Sequence, residues 1–234
     1  MKNIKVIAFD GDDTLWVNES YYQETEKQFC TLLSEYLPEG DTRKVLFKTE
    51  MENLPLYGYG AKGFMLSMME TALKISENRV EPSVLQEIIR LGKALLDKPI
   101  ELLDGVKSAL STLQNHYKLV LATKGDLLDQ ERKLLKSGLN PFFHHIEIMS
   151  NKQKEDYGKL IRHLDIAPEE FLMVGNSLPS DIIPVVKLGG FGIHVPFHTT
   201  WQHEQIAQHN LDNSRYREIE KLSEIHELLL HENN

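Results

Sequence analysis

The feature that most constrains this chain is where its strand-like runs stand. Ile4-Lys5-Val6-Ile7-Ala8-Phe9 is short, mostly apolar and rich in β-branched residues. That is the texture of a strand buried on both faces of a parallel sheet. It stops at a polar cluster, Asp10-Gly11-Asp12-Asp13-Thr14, that cannot continue it. For about 80 residues no second strand follows. Four helical patterns succeed one another instead. The first spans 20–37, with Phe29, Leu32, Leu33 and Tyr36 at helical spacing and Pro38-Glu39-Gly40 as its stop. The second starts at Asp41, a suitable N-cap. The third follows Tyr57-Gly58-Tyr59-Gly60-Ala61-Lys62-Gly63, and the fourth runs from Pro82-Ser83 to just before Pro99. Beyond Pro99 strands are expected at 119–123, 145–149, 171–175 and 192–195, and helices at 126–137, 154–164 and 180–188. A last short strand at 216–222 and a helix at 223–230 follow. Such alternation predicts an α/β fold, a parallel sheet covered by helices on both faces. The reading is a core of residues 1–16 and 98–234, interrupted by an all-helical domain at 17–97.

Composition narrows the partners. Lys plus Arg is 26 against 35 Asp plus Glu, a net charge of −9, which disfavours nucleic acid and anionic membranes as partners because phosphate surfaces need clustered cations. Hydrophobic residues are 41% of the chain, enough to bury a core, but no apolar run approaches the ~20 residues of a membrane helix. Cys30 is the one cysteine and can form no internal disulfide. With no signal-peptide pattern at the N-terminus, the expectation is a cytoplasmic protein.

In a parallel sheet, ligands gather outside the carboxyl ends of the strands. The expected strands end in Asp10 and Asp12, in Thr123, in the stretch that holds Lys152, and in Gly175-Asn176-Ser177 with Asp181 a few residues on. Oxygen ligands around a cleft suit Mg2+, a hard cation that takes a few carboxylates together with substrate oxygens and water. A carboxylate beside Mg2+ and a lysine can attack phosphorus, because the cations offset anion–anion repulsion. A second carboxylate turned the same way can serve as general acid and base.

Taken in order, these stretches resemble the haloacid dehalogenase-like (HAD) hydrolase superfamily. Phe9-Asp10-Gly11-Asp12-Asp13-Thr14-Leu15 matches its first motif, Asp-x-Asp-x-Thr/Val after an apolar strand. Thr123 after Leu119 to Ala122 is similar to the second, Lys152 to the third, and Gly175-Asn176-Ser177-Leu178-Pro179-Ser180-Asp181 to the fourth. The resemblance implies a Rossmann-like core with a helical cap inserted between the first and second motifs. It implies a Mg2+-dependent phosphomonoester hydrolase acting on a small phosphorylated metabolite. In that scheme Asp10 is the nucleophile that becomes an aspartyl-phosphate, and Asp12 is the acid and base. Thr123 and Lys152 hold the phosphoryl oxygens, and Asp10, the Asp12 carbonyl, Asn176 and Asp181 hold the metal. Two departures stand out. Gly11 occupies a position that is often bulky and apolar in the family, and is read as tolerated. Asn176 replaces the usual first acid of the fourth motif, which leaves open whether Asn176 or Asp181 is the main ligand there. Lys154 competes with Lys152 for the third motif.

Other candidates surround this set. Lys62 and Tyr59, with Tyr57, lie in a Gly-rich loop between cap helices that could meet substrate, and Lys124 could steer anions. The histidines, among them His144, His145, His194, His198, His203 and His209, make no zinc pattern and are read as structural or surface residues. Alternative functions are phosphoryl mutase, carbon–halogen hydrolysis, phosphonate hydrolysis through a Lys62 Schiff base, and a non-catalytic binding module. Asp12 argues against dehalogenation, which needs no acid for an alkoxide leaving group.

Overall fold

The computed structural model describes residues 3–199, 201–202 and 214–231. Among them six strands form one sheet in the order β3-β2-β1-β4-β5-β6, with every neighbouring pair parallel. The strands are β1 (Val6–Phe9), β2 (Lys118–Lys124), β3 (His145–Met149), β4 (Phe171–Gly175), β5 (Phe191–His194) and β6 (Tyr216–Glu218). The helices are α1 (Glu19–Leu32), α2 (Glu39–Tyr57), α3 (Ala61–Ile75), α4 (Pro82–Leu96), α5 (Val106–Leu113), α6 (Leu127–Ser137), α7 (Lys154–His163), α8 (Ile183–Val186) and α9 (Ile225–His231). The expected α/β architecture is the one observed.

The period-2 alternation of the strands sorts side chains onto the two sheet faces. Ile7, Phe9, Leu119, Leu121, Leu172, Val174 and Ile193 pack on one face with α5 and α9 residues such as Leu110, Leu113 and Ile225. Val6, Ala8, Val120, Ala122, Phe171 and Met173 pack on the other with Tyr157, Leu160 and Ile161 of α7. Both faces are therefore dry, which is why β1 and β4 carry hardly a polar residue.

The chain divides into two compact units. One comprises Met1–Glu19, Ile100–Lys124 and Gln130–Asn234, and the other Ser20–Pro99 with Gly125–Asp129. The helical unit has its own core of Phe29, Cys30, Leu33, Leu46, Phe64, Met68, Ile88 and Leu91. Cys30 is buried there, and burial pushes its thiol up to about 11, so it is inert.

Several boundaries differ from expectation. Helix α1 stops at Leu32 rather than 37, because the chain tightens into i→i+3 bonds (Leu33 N–H to Cys30, Ser34 N–H to Thr31, Tyr36 N–H to Leu33) ahead of Pro38. Pro38-Glu39-Gly40 does not merely end that helix; α2 starts at Glu39, with Pro38 at its N-cap. The expected helix 180–188 is a π-type turn, Leu178–Ile182, followed by the short α8 with Pro184 inside. β6 is only three residues long. Helix α5 was not anticipated, although Val106, Ala109, Leu110 and Leu113 show helical spacing.

Candidate active site

Strand order explains why distant residues meet. β3, β2, β1 and β4 are consecutive in the sheet and parallel, so their carboxyl ends lie side by side. Each of these ends delivers a polar side chain.

Asp10 is the first residue past β1, and its N–H bonds the Val174 carbonyl at 2.9 Å, which keeps it in register with β4. The chain then folds back sharply. The N–H groups of Thr14, Leu15 and Trp16 all point at the Gly11 carbonyl, and Asp13 takes a left-handed backbone (φ 59°). This turn is why Gly11 is not merely tolerated: a Cβ there would lie 2.6 Å from the Trp16 ring. The Asp13 carboxylate accepts from the backbone N–H groups of Asn18 and Glu19, capping the start of α1. Asp13 is thereby committed to the fold.

Asp10 is buried, and its two oxygens face different partners. Oδ1 accepts from Lys152 Nζ at 2.5 Å. The same ammonium lies 2.7 Å from Asp181 Oδ1, with its own side chain 2% exposed. One cation thus serves two buried carboxylates. Burial, with the Asp181 charge, raises the Asp10 carboxyl to about 7 even though Lys152 pulls it down. Burial alone would lower Lys152, but Asp10 and Asp181 outweigh it and hold the ammonium above the ordinary lysine value. Lys154, the competing third-motif residue, is exposed at the head of α7.

Asp12, two residues on, is gripped by donors. Trp16 Nε1 donates to Oδ1 at 2.6 Å, Gln130 Nε2 to Oδ2 at 2.9 Å, and Lys133 Nζ to both oxygens at 2.9 and 3.0 Å. Burial raises this carboxyl, but the Lys133 charge and these bonds win, and it is held below its ordinary value. Thr123 is buried on β2, and its hydroxyl donates to Gln130 Oε1 at 3.4 Å.

The loop after β4 is built around Asp181. Asp181 Oδ2 accepts the Ser177 N–H at 3.0 Å, and Tyr157 Oη donates to Oδ1 at 3.4 Å. Ser177 Oγ accepts from the Ser180 N–H, closing the turn. Gly175 is required here, because a Cβ would stand 2.2 Å from Asp181 Oδ2. The Asn176 N–H bonds Thr14 Oγ1 at 3.0 Å, and its carbonyl meets His194 Nε2 at 3.0 Å. His194 Nδ1 in turn meets Glu218 Oε2 at 2.8 Å, so this histidine braces the loop.

Whether these groups fit a cation follows from their donors. The Asn176 side-chain atom facing Asp10 Oδ2, the Asp12 carbonyl and Thr14 Oγ1 lies 3.2 Å from each. Turned as nitrogen, the amide donates to all three. Turned as oxygen, it joins Asp10 Oδ2 and the Asp12 carbonyl in a set of three acceptors, with only the Thr14 hydroxyl to donate. Octahedral Mg2+, with ligands at about 2.0–2.1 Å, spaces adjacent oxygens at about 3 Å. The Asn176 atom stands at about that spacing from both Asp10 Oδ2 and the Asp12 carbonyl, and hard oxygens of these three kinds suit the ion. Both oxygens of Asp181 are already engaged by protein donors. Among the described residues no group of three or more His, Cys, Asp or Glu side chains is arranged to hold a metal, so the fit rests on this mixed carboxylate, amide and carbonyl set. His203 and His209 lie outside the described residues.

The remaining candidates are placed as follows. Lys124 Nζ donates to Ser180 Oγ at 2.9 Å. In the helical unit, Lys62 pairs with Asp126 at 2.9 Å, and Tyr59 lies between Gly58 and Gly60, whose φ values of 68° and 119° make the bend possible. Sequence reasoning passed over Trp16, Gln130, Lys133 and Tyr157. Gln130 and Lys133 are one turn apart on an amphipathic helix, a pattern that in sequence looks like any solvated face.

The comparisons with known proteins agree with this geometry. Residues 4–189 match the family model described as haloacid dehalogenase-like hydrolase. A crystal structure of a haloacid dehalogenase-like family hydrolase from Xanthomonas campestris is 39% identical, covers 98% of this chain and 91% of its own, and superposes with a TM-score of 0.88. A magnesium-bound structure of the HAD-hydrolase YfnB from Bacillus subtilis shares the fold at 21% identity, with a TM-score of 0.64 over 97% of this chain and 99% of its own. A glyceraldehyde 3-phosphate phosphatase of Pyrococcus furiosus is 25% identical across all of this chain and 96% of that protein. With four motif stretches meeting at adjacent strand ends and a family match over most of its length, the chain belongs to the haloacid dehalogenase-like hydrolases.

Proposed function

We propose that the protein is a Mg2+-dependent phosphomonoester hydrolase acting on a small phosphorylated metabolite. The observation that carries this reading is the division of labour at Asp10. One oxygen is neutralised by Lys152, while the other faces the Asn176 side chain, which also reaches the Asp12 carbonyl. A carboxylate so placed is oriented, desolvated and charge-compensated, as a nucleophile towards phosphorus must be.

In the first step an Asp10 oxygen forms a bond to phosphorus while the bond to the leaving oxygen breaks, and Asp12, ionised at rest, passes to that oxygen a proton taken from the bound phosphate monoanion. In the second, water attacks the aspartyl-phosphate, Asp12 takes its proton, and the bond between phosphorus and Asp10 breaks to release phosphate. Thr123 and Lys152 hold phosphoryl oxygens, and Lys124 adds positive charge nearby. Asp10, the Asp12 carbonyl and Asn176 would hold Mg2+, with Asp181 acting through Lys152 and the loop it anchors. When bound, the ion supplies Lewis-acid stabilisation of phosphoryl charge. Phosphatase-named and magnesium-bound relatives support both halves of this reading.

The unit of residues 20–99 serves as the cap, with Tyr59 and Lys62 as substrate-contacting residues. No described helix is long and apolar enough to cross a membrane, which suits a cytoplasmic enzyme on a soluble substrate.

Phosphate release from an aryl phosphate, measured with Mg2+ and then with EDTA, tests the reading. Activity should vanish on chelation and return with excess Mg2+. Asp10→Asn should lower kcat by about a thousandfold or more while leaving the circular dichroism spectrum unchanged. Full activity in that variant removes Asp10 as nucleophile.

A further inference from the structure

We propose that Gln130 and Lys133 of α6 are positioning residues for Asp12, and that Gln130 also couples Asp12 to Thr123. This inference rests on the reading of Asp12 as the proton carrier.

Asp12 lies in a turn beyond the end of β1, outside the ladder pairs that fix the strand residues. Two donors supply that constraint from a rigid helix. Residues 130 and 133 stand three apart, so their side chains share one face of α6. Lys133 Nζ bridges both Asp12 oxygens and reaches Asn18 Oδ1 at 2.7 Å, fixing the carboxylate against the chain that leads into α1. Gln130, 3% exposed, uses both ends of its amide: Nε2 donates to Asp12 and to the Lys124 carbonyl, and Oε1 accepts from Thr123. A buried glutamine satisfied at both ends transmits position well, because rotating it breaks three contacts at once. Trp16 closes the third side. The carboxylate that moves protons and the hydroxyl assigned to the phosphoryl group are thus referenced to one helical turn. Misplacement by about 1 Å can cost a factor of about 100 in rate, which is the size of effect such a brace can control.

The alternative is a salt bridge that merely stabilises the fold, and the two differ in measurable ways. Lys133→Met, Lys133→Arg, Gln130→Leu, Asp12→Ala and the Lys133→Met/Asp12→Ala double variant are assayed with p-nitrophenyl phosphate and glycerol phosphate in excess Mg2+. Lys133→Met should lower kcat by about 10- to 100-fold with KM changed by less than about threefold, and the loss should be larger on the alkyl ester. Lys133→Arg should recover most of it. In the Asp12→Ala background, Lys133→Met should cost less than about twofold, because nothing remains to position. Gln130→Leu should show the same dependence on Asp12, which decides the matter if Lys133→Met fails to fold. An undiminished Lys133→Met or Gln130→Leu loss without Asp12, or a loss confined to KM, overturns the proposal. A crystal structure of Lys133→Met separates this failure from failure of the hydrolase reading. The Asp12 carboxylate should have swung from its place whatever the activity, and an unmoved Asp12 refutes the brace even in an active enzyme.

Discussion

Lys152→Met removes the one ammonium shared by two buried carboxylates. Lys152 Nζ lies 2.5 Å from Asp10 Oδ1 and 2.7 Å from Asp181 Oδ1, so those oxygens are no more than 5.2 Å apart. Methionine keeps most of the buried volume, which isolates the charge. Deleting one partner of a buried ion pair costs about 3–5 kcal/mol, because the other charge is left uncompensated. At about 2–4 °C per kcal/mol for a unit of 150–250 residues, the midpoint should fall by roughly 6–20 °C. The deficit should also depend on pH. Burial already raises the Asp10 carboxyl to about 7, and loss of the Lys152 charge moves it higher. The folded state then keeps a proton over a range in which the unfolded carboxyl, with its ordinary value of 3.8, has lost it. More protons bound in the folded state means stability that falls as pH rises. The variant should therefore sit nearest the parent at pH 5 and furthest at pH 8, by about 1.4 kcal/mol for each pKa unit moved within that window. Adding Asp10→Asn should return about 1–3 kcal/mol at pH 8, since Asp181 alone keeps its Ser177 N–H and Tyr157 hydroxyl. Urea and thermal unfolding followed by circular dichroism in EDTA at both pH values measure all of this. A deficit below about 0.5 kcal/mol at pH 8, or one equal at the two pH values, refutes the reasoning.

Asp12→Ala should slow hydrolysis of an alkyl phosphate by about 100- to 10,000-fold and of an aryl phosphate much less, because an aryl oxide leaves without protonation; parallel steady-state assays show whether the two losses diverge. In the metal-free parent, Asp10 holds a proton that the unfolded chain has released, so its share of the stability, read as the difference between parent and Asp10→Asn, should decline from about pH 4 to pH 7 and level above. Added Mg2+, which needs the charged carboxylate, should raise the melting temperature more at pH 8 than at pH 5, approaching about 2.7 kcal/mol at a hundred times its Kd; an equal rise at both pH values would remove Asp10 from the ligand set. Gly175→Ala should destabilise by about 1–3 kcal/mol and weaken Mg2+ binding in calorimetry, since the new methyl lands 2.2 Å from an Asp181 oxygen.

Much of this is legible in the amino-acid sequence. β1, β2 and β4 announced themselves because strands dry on both faces have no room for polar residues. Asp10, Thr123, Lys152 and Asn176 could be placed together because parallel strands with adjacent carboxyl ends leave few other arrangements. What stayed hidden depends on tertiary distance. Nothing in the string separates Lys133, bonded to Asp12, from an ordinary solvated lysine such as Lys159. The π-type turn at Leu178–Ile182 was missed because it is stabilised by Ser177 and Asp181 side chains rather than by helix propensity. Asn176 looked like a weakened acid. In place, its uncharged amide stands within reach of Asp10 and the Asp12 carbonyl, while Asp181 is spent on Lys152 and Ser177.

Trp16 performs two duties with one side chain. Its ring fills the room that a side chain at position 11 would take, and its indole N–H tethers Asp12. Any enlargement of Gly11 therefore evicts the ring and slips the tether in one stroke. A substitution at position 11 is thus also a perturbation of position 16, and Asp12 keeps its place only if another donor takes over from the indole.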